Sequence, residues 1–400
     1  MNQAASGRAW IGRTEVLERL GVKPQTLYAY VSRGRIAARA DPDDPRRSLY
    51  AAEDIDRLLE RSGRSLRTPD GTNGQHSRGE AVIDSALGGV VAGRPLCRSE
   101  DLVLLSQTAT LEQAARLHWG GDEDPFIDLK PRVDVSFAGG LRGRAFACLS
   151  RRAEEDAASL GRSQRSLRRE AAAVLNEMVD SISGGGPRLY LHQRLARSFK
   201  LEERDAHLIR RALVLCIDLD ATAPVMAART AASTGAPLSA CALAGLCAML
   251  GPVVTGKLAQ VTAFVSEARR GADPRAVARQ RLAQGLEIPG FGHARYPDGD
   301  PRARALIEGA GLQEDLLELV RVGEGLTGEP PGLEMALALV SRQLDLPRDG
   351  AFALMAVGAT VGWLGHALEQ IAAGAPPRAR LRYVGDGLRA PAEVEGGGGD

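Results

Sequence analysis

Lysine is nearly missing from this chain. Four of its 51 basic residues are lysines (Lys23, Lys130, Lys200 and Lys257) and the others are arginines, an imbalance read here as coding bias. With 50 acidic residues the formal net charge is only +1, which excludes a global electrostatic drive toward nucleic acid, so any such binding must be local. Aromatic residues make up 4% and β-branched runs are few, whereas Ala and Leu abound, so the composition points to an all-α fold. The five cysteines (Cys97, Cys148, Cys216, Cys241 and Cys247) are odd in number and form no C-x-x-C, which excludes a disulfide framework. With no signal-peptide pattern at the N-terminus, they read as reduced, buried thiols of a cytoplasmic protein. The six histidines show no metal-ligand spacing, and no metal is expected. One run without charge, Ala236 to Val254, just reaches the ~20 residues of a membrane span. Pro237 opens it and Gly251-Pro252 stops it, so it reads as a short buried core or dimer helix and no membrane partner is expected.

At 400 residues the chain is long enough for two or more domains. Near the N-terminus, Thr14–Leu20 predicts a short helix, Gly21-Val22 a tight turn, and Pro24 the start of a second helix through Val31, closed by Gly34. Arg46–Tyr50 predicts a strand and Ala52–Glu60 a further helix. This stretch, 10–62, resembles the winged helix-turn-helix headpiece of MerR/excisionase-type proteins. The resemblance implies that Gln25, Thr26 and Arg33 face bases, with Lys23, Arg35, Arg46 and Arg47 on phosphates. The acidic residues of 10–62 nearly offset its arginines, so a protein-interaction module stands beside DNA binding. Residues 63–79 lack apolar periodicity and read as a linker. Downstream, helices are expected within Thr108–Trp119 with Thr110 as N-cap, and over Leu167–Ile182, Leu191–Ala196 and Glu203–Leu215, while Asp128–Arg144 looks irregular.

The most structured signal lies in Ile288–Arg302. Pro289, Gly290 and Gly292 break any regular element, so His293 sits on a tight loop where backbone can approach a ligand. Asp300-Pro301 predicts a helix start and puts Arg302 in its first turn. An imidazole and a guanidinium so placed suit an oxygen-rich substrate. The strings P-G-F-G-H and D-P-R resemble the signature of the citrate synthase family, and the likeness runs from about residue 80 to Gly385. The headpiece in front resembles a bacterial branch of that family. The resemblance implies a citrate synthase fold, with a large helical domain at 80–255 and 345–390 and a small helical domain at 256–344. It also implies a dimer that closes over its substrate. It assigns the backbone of Pro289, Gly290, Phe291 and Gly292 to coenzyme A, a donor role toward an oxo-acid carbonyl to His293, and a carboxylate-holding role to Arg302. Glu334, in Pro331-Gly-Leu-Glu-Met335, takes the place of the catalytic base, and Arg378 matches a further carboxylate arginine.

The same resemblance marks departures. Leu219 in Cys216–Pro224 stands where the family has a substrate histidine. Val254 in Gly251–Gly256 replaces the histidine that stabilises the acetyl-coenzyme A enol. Ala359 in Gly358–Trp363 replaces a substrate arginine. None of the three offers a hydrogen-bond donor, and a dicarboxylate beside them is poorly paired. Three functions remain open. The first is a family member with weak or altered condensing activity, acting as a partner subunit of a citrate synthase paralogue or on another acceptor. The second is an acyl-coenzyme A-sensing DNA-binding regulator, and the third a working citrate or 2-methylcitrate synthase of the tricarboxylic acid cycle type. No permanently bound cofactor is expected. A coenzyme A thioester is expected as cosubstrate or ligand, an oxo-acid or related small molecule as acceptor, and either a homodimer or a heteromer.

Overall fold

Strand β1 (Trp10–Gly12) runs straight into helix α1 (Arg13–Leu20) in a computed structural model that describes residues 10–20, 27, 31, 36–41, 48–55, 83–129, 139–184, 189–270 and 273–374. The chain divides into two units, Met1–Val82 and Ile83–Asp400. In the first, β2 (Ala38–Ala40) and β3 (Ser48–Ala51) complete an antiparallel sheet of order β1-β3-β2, with Ile11 opposite Tyr50 and Arg39 opposite Leu49. Its small core is Val16, Leu27, Ile36, Tyr50 and Ile55. The Asp54 carboxylate accepts the Ala37 N–H at 3.0 Å, which pins the start of β2 to the residues after β3. The strand expected over Arg46–Tyr50 is described over Ser48–Ala51, and the second helix only at Leu27 and Val31. Lys23, Gln25, Thr26, Arg33, Arg35, Arg46 and Arg47 lie outside the described residues, as do the linker and Arg378.

The second unit is mostly helical, as expected, and opens on one small sheet that the composition did not announce. Strands β4 (Gly88–Val91), β5 (Arg94–Cys97) and β6 (Glu100–Asp101) pair antiparallel in sequence order. Asp101 then caps α2 (Leu102–Thr108), its carboxylate accepting from Val103 and Leu104. In α3 (Leu111–Trp119) the expected Thr110 N-cap is present as a capping box with Gln113, and Leu111, Ala114, Ala115 and His118 are all buried. Helices α4 (Leu141–Glu155), α5 (Gln164–Ser183), α6 (Leu191–Ser198) and α7 (Ala206–Leu215) follow. The irregular stretch foreseen at Asp128–Arg144 gives way to helix at Leu141. After α8 (Ala223–Ser233), the charge-free run forms the 12-residue α9 (Leu238–Met249). Four cysteines are buried, but Cys247 on α9 is exposed, against expectation.

Among the described residues, the helix long and apolar enough to cross a membrane is a different one, α15 (Gly350–Ala373), and 94% of its apolar window is buried inside the protein. It is the axis of the core. Gly358 and Gly362 let α15 pass against the chain between α7 and α8, because a methyl at either would run into the Leu213 or Asp218 carbonyl oxygen. Between α9 and α15 lie α10 (Thr255–Arg270), α11 (Pro274–Ala283), α12 (Pro301–Ala310), α13 (Glu314–Thr327) and α14 (Leu333–Gln343).

Candidate active site

Asp300-Pro301 starts α12 as its sequence predicts: Asp300 is the N-cap and its carboxylate accepts the Arg302 N–H at 3.0 Å. The same carboxylate, whose side chain is wholly buried, also takes Arg302 Nε at 3.0 Å and Nη2 at 2.8 Å. Arg302 was expected to offer its fork to a ligand carboxylate, and that fork is closed on Asp300, leaving Nη1. Burial works against the Arg302 charge, but the field and hydrogen bonds of Asp300 outweigh it and hold the guanidinium pKa above its ordinary value.

His293 is fixed by its own loop. Its Nδ1 accepts the Arg295 N–H at 3.2 Å, so the proton of the neutral ring sits on Nε2 and that nitrogen is a donor. Burial and then the Arg302 charge pull the His293 pKa down, only partly opposed by Asp300 and Glu334, so the ring is neutral near pH 7. Tyr296 lies between the two groups, its ring 4.9 Å from that of His293 and 5.3 Å from the Arg302 guanidinium carbon. Arg295 pairs with Asp220 at 2.5 Å, tying the loop to the segment between α7 and α8.

Glu334 is brought to the same place by backbone. Gly292 N–H donates to the Pro330 carbonyl at 2.8 Å and Gly332 N–H to the Gly290 carbonyl at 2.8 Å, forming a one-rung antiparallel bridge between Phe291 and Pro331. Glu334 follows in the first turn of α14, where the helix dipole favours a carboxylate. Gly290 has φ +92°, and a methyl there would lie 2.9 Å from Val261 and 3.0 Å from Met335, so the bridge needs glycine. The Phe291 ring fills the space over Gly323 of α13 and packs against the core, so only the backbone of 289–292 remains for a ligand.

A further carboxylate escaped the sequence reading. Asp218 accepts from Thr222 Oγ1 at 2.6 Å and from Trp363 Nε1 at 3.3 Å. Burial pushes its pKa up to about 6, against those hydrogen bonds and the Arg302 charge. Its signal was a lone acid inside the apolar run Leu213–Leu219. Leu219 and Ala359 are buried at 8% and 6% exposure, and Val254 is half-buried. Among the described residues no three His, Cys, Asp or Glu side chains gather as a metal site.

A helical body wrapped on one buried helix, with a His loop bridged to a Glu-bearing helix start, defines the class of fold. A family model for "Citrate synthase, C-terminal domain" matches residues 147–380, more than half of the chain, and the chain belongs to the citrate synthase family. It is 30% identical over 192 residues to the citrate synthase of Synechocystis sp., covering 43% of this chain and 48% of that one. It is 28% identical over 194 residues to citrate synthase 2 of Bacillus subtilis, covering 45% and 51%. The chain spans about half the length of the curated relatives it matches. Among solved structures, the fold is like that of citrate synthase from Thermotoga maritima, with a TM-score of 0.63 at 20% identity over 79% of this chain and 97% of that one. It is also like the ternary complex of carboxymethyl coenzyme A and oxaloacetate with citrate synthase from Thermoplasma acidophilum. There the TM-score is 0.61 at 17% identity, over 78% and 96% of the two chains.

Proposed function

We propose that the site carrying His293 and Glu334 binds a coenzyme A thioester along the 289–292 backbone and condenses it, slowly, with an oxo-acid acceptor. The observation that carries this reading is the backbone bridge at Phe291 and Pro331, which sets a neutral imidazole donor and a carboxylate beside one backbone rim. Glu334 takes the α-proton of the thioester, the enolate carbon attacks the acceptor carbonyl, and His293 Nε2–H stabilises the alkoxide that forms. Water then hydrolyses the thioester and releases the free thiol. Arg302 through Nη1, and Arg378, hold acceptor carboxylate. Residues 80–255 with 345–390 and residues 256–344 serve as the large and small domains that close on it. Leu219, Val254 and Ala359 take positions that in the family donate to substrate, and loss of one oxyanion donor alone costs about 2.7–4 kcal/mol, or ~10²–10³-fold in rate. The reading therefore includes a homodimer of low turnover or a heteromer in which a paralogous subunit supplies the donors.

The test uses acetyl-coenzyme A in D₂O with the whole chain, following thiol release with oxaloacetate and exchange of the methyl protons without it. Expected are thiol release at least ~100-fold below a donor-complete family member and a slow exchange that Glu334→Gln abolishes. Exchange that survives Glu334→Gln sinks the role of Glu334. Near-normal turnover, as a working citrate or 2-methylcitrate synthase would give, sinks the weak-activity reading. A second reading, an acyl-coenzyme A-sensing DNA-binding regulator, is favoured by the separate core of the Met1–Val82 unit. No binding to duplex DNA at about 50 mM salt removes it.

A further inference from the structure

A cavity of ≈ 730 Å³ opens between α10, α14 and the first turn of α15. Ala263 and Leu346 give it apolar lining, and the guanidinium groups of Arg142, Arg342 and Arg348 line it together with Asp345 and Asp349. The pairs between them are loose. Arg142 stands 3.4 Å from Asp349, and Arg342 3.3 Å from Asp345, whose side chain is 91% exposed. Among the described residues Arg348 has no ion pair. Exposed pairs of this kind hold little, so an incoming anion displaces them readily. Arg142 is already oriented: its guanidinium lies 4.4 Å over the Phe352 ring, and its Nε is shut from solvent with no acceptor. The 24-residue α15 begins at this cavity with no side chain capping its first turn, although the Gly350 N–H donates to the Pro347 carbonyl at 2.8 Å.

The place matters as much as the charge. Asp345 (φ +48°) and Asp349 (φ +64°) both adopt the left-handed backbone that disfavours side-chain-bearing residues, so the turn joining α14 to α15 is strained at both ends. Glu334, Ala338 and Ser341 recur at helical spacing on one face of α14, and Ala338 and Ser341 line the cavity. At 1.5 Å per residue, the lining begins about 6 Å along the helix from the candidate base. We infer that this cavity binds an organic polyanion, its carboxylate or phosphate oxygens on Arg142, Arg342 and Arg348 and its carbon skeleton on Ala263 and Leu346, and that occupancy fixes the Asp345–Asp349 turn. The inference stands apart from the condensation reading and survives its failure.

The test is calorimetric titration of the whole chain with pyrophosphate and, separately, with tricarballylate, whose relative affinities tell phosphate from carboxylate ligands. One-to-one binding is expected. Arg342→Ala and Arg348→Ala, both at exposed positions, each weaken it about 10-fold or more, while Arg348→Lys keeps most of it. His293→Ala leaves it unchanged. Amide hydrogen exchange slows at Asp345–Phe352 when pyrophosphate binds. The inference is overturned by no binding of either anion at about 1 mM, by affinity indifferent to Arg342→Ala and Arg348→Ala, by loss of binding in His293→Ala, or by protection confined to residues 289–302.

Discussion

Asp300 serves two neighbours with one carboxylate: it caps α12, and it closes the fork of Arg302. An N-cap contributes ~1 kcal/mol, and breaking a buried charge pair costs about 3–5 kcal/mol, toward the low end here because Arg302 keeps 18% exposure. Asp300→Ala should therefore destabilise the fold by about 3 kcal/mol. Asp300→Asn, which still accepts the first-turn N–H, should cost roughly 1 kcal/mol less. Urea midpoints at constant slope measure both, and equal losses would show that the cap adds nothing beyond the fork. The two roles were not equally legible. Asp-Pro-Arg announces a cap and a helix start through local geometry alone, whereas the fork depends on how deeply the side chain is buried. Asp218 was hidden for the same reason, since its partner Trp363 lies 145 residues away.

At the scale of elements, α3 meets α15 through two buried histidines. His118 and His366 have ring centroids 6.1 Å apart, and His366 Nδ1 faces Arg229, which itself pairs with Glu369. Burial, then each ring's charged or titratable neighbour, pushes both pKa values down to about 3. Unfolded, each histidine titrates near ~6.5, above its folded value. Unfolding therefore takes up protons between the two values. The stability they contribute is complete above pH ~6.5 and is lost as pH falls toward 3, at about 1.4 kcal/mol per pH unit for each ring. His366→Asn should make the fall in stability between pH 6 and 4 shallower than that of the parent chain by about that slope. Parallel urea titrations cancel the carboxylates common to both chains, including Asp218, whose raised pKa works with the opposite sign. An unchanged slope would mean that His366 is not held neutral. The helix that carries His366 was poorly legible. Its uncharged run lacks a polar face, and helical periodicity vanishes when every side is buried. Amphipathic α3 was readable from its Thr110 cap, and α5, expected over Leu167–Ile182, starts three residues earlier at Gln164.

At the scale of the whole chain, legibility followed sequence motifs rather than composition. Loop and helix-start signals in Ile288–Arg302 carried the family, while the sheet that opens the second unit rests on β-strands of two to four residues, too short to announce a period. The division into Met1–Val82 and Ile83–Asp400 has an energetic consequence. Among the described residues, five buried side chains anchor the first unit, against a continuous core running from Cys97 to Leu368 in the second. Small domains bury a smaller fraction of their surface and are correspondingly less stable. A scan of the whole chain by calorimetry should show two transitions, with the first unit melting at the lower temperature. A chain beginning at Ile83 keeps Ser85 and Ala86, whose hydroxyl and N–H donate to Glu369 on α15. It should retain the upper transition within about 2–4 °C, the shift that ~1 kcal/mol produces in a domain of 150–250 residues, together with its helical circular dichroism. A single transition in the whole chain, or loss of the upper one when residues 1–82 are removed, would show that the two units depend on each other to fold.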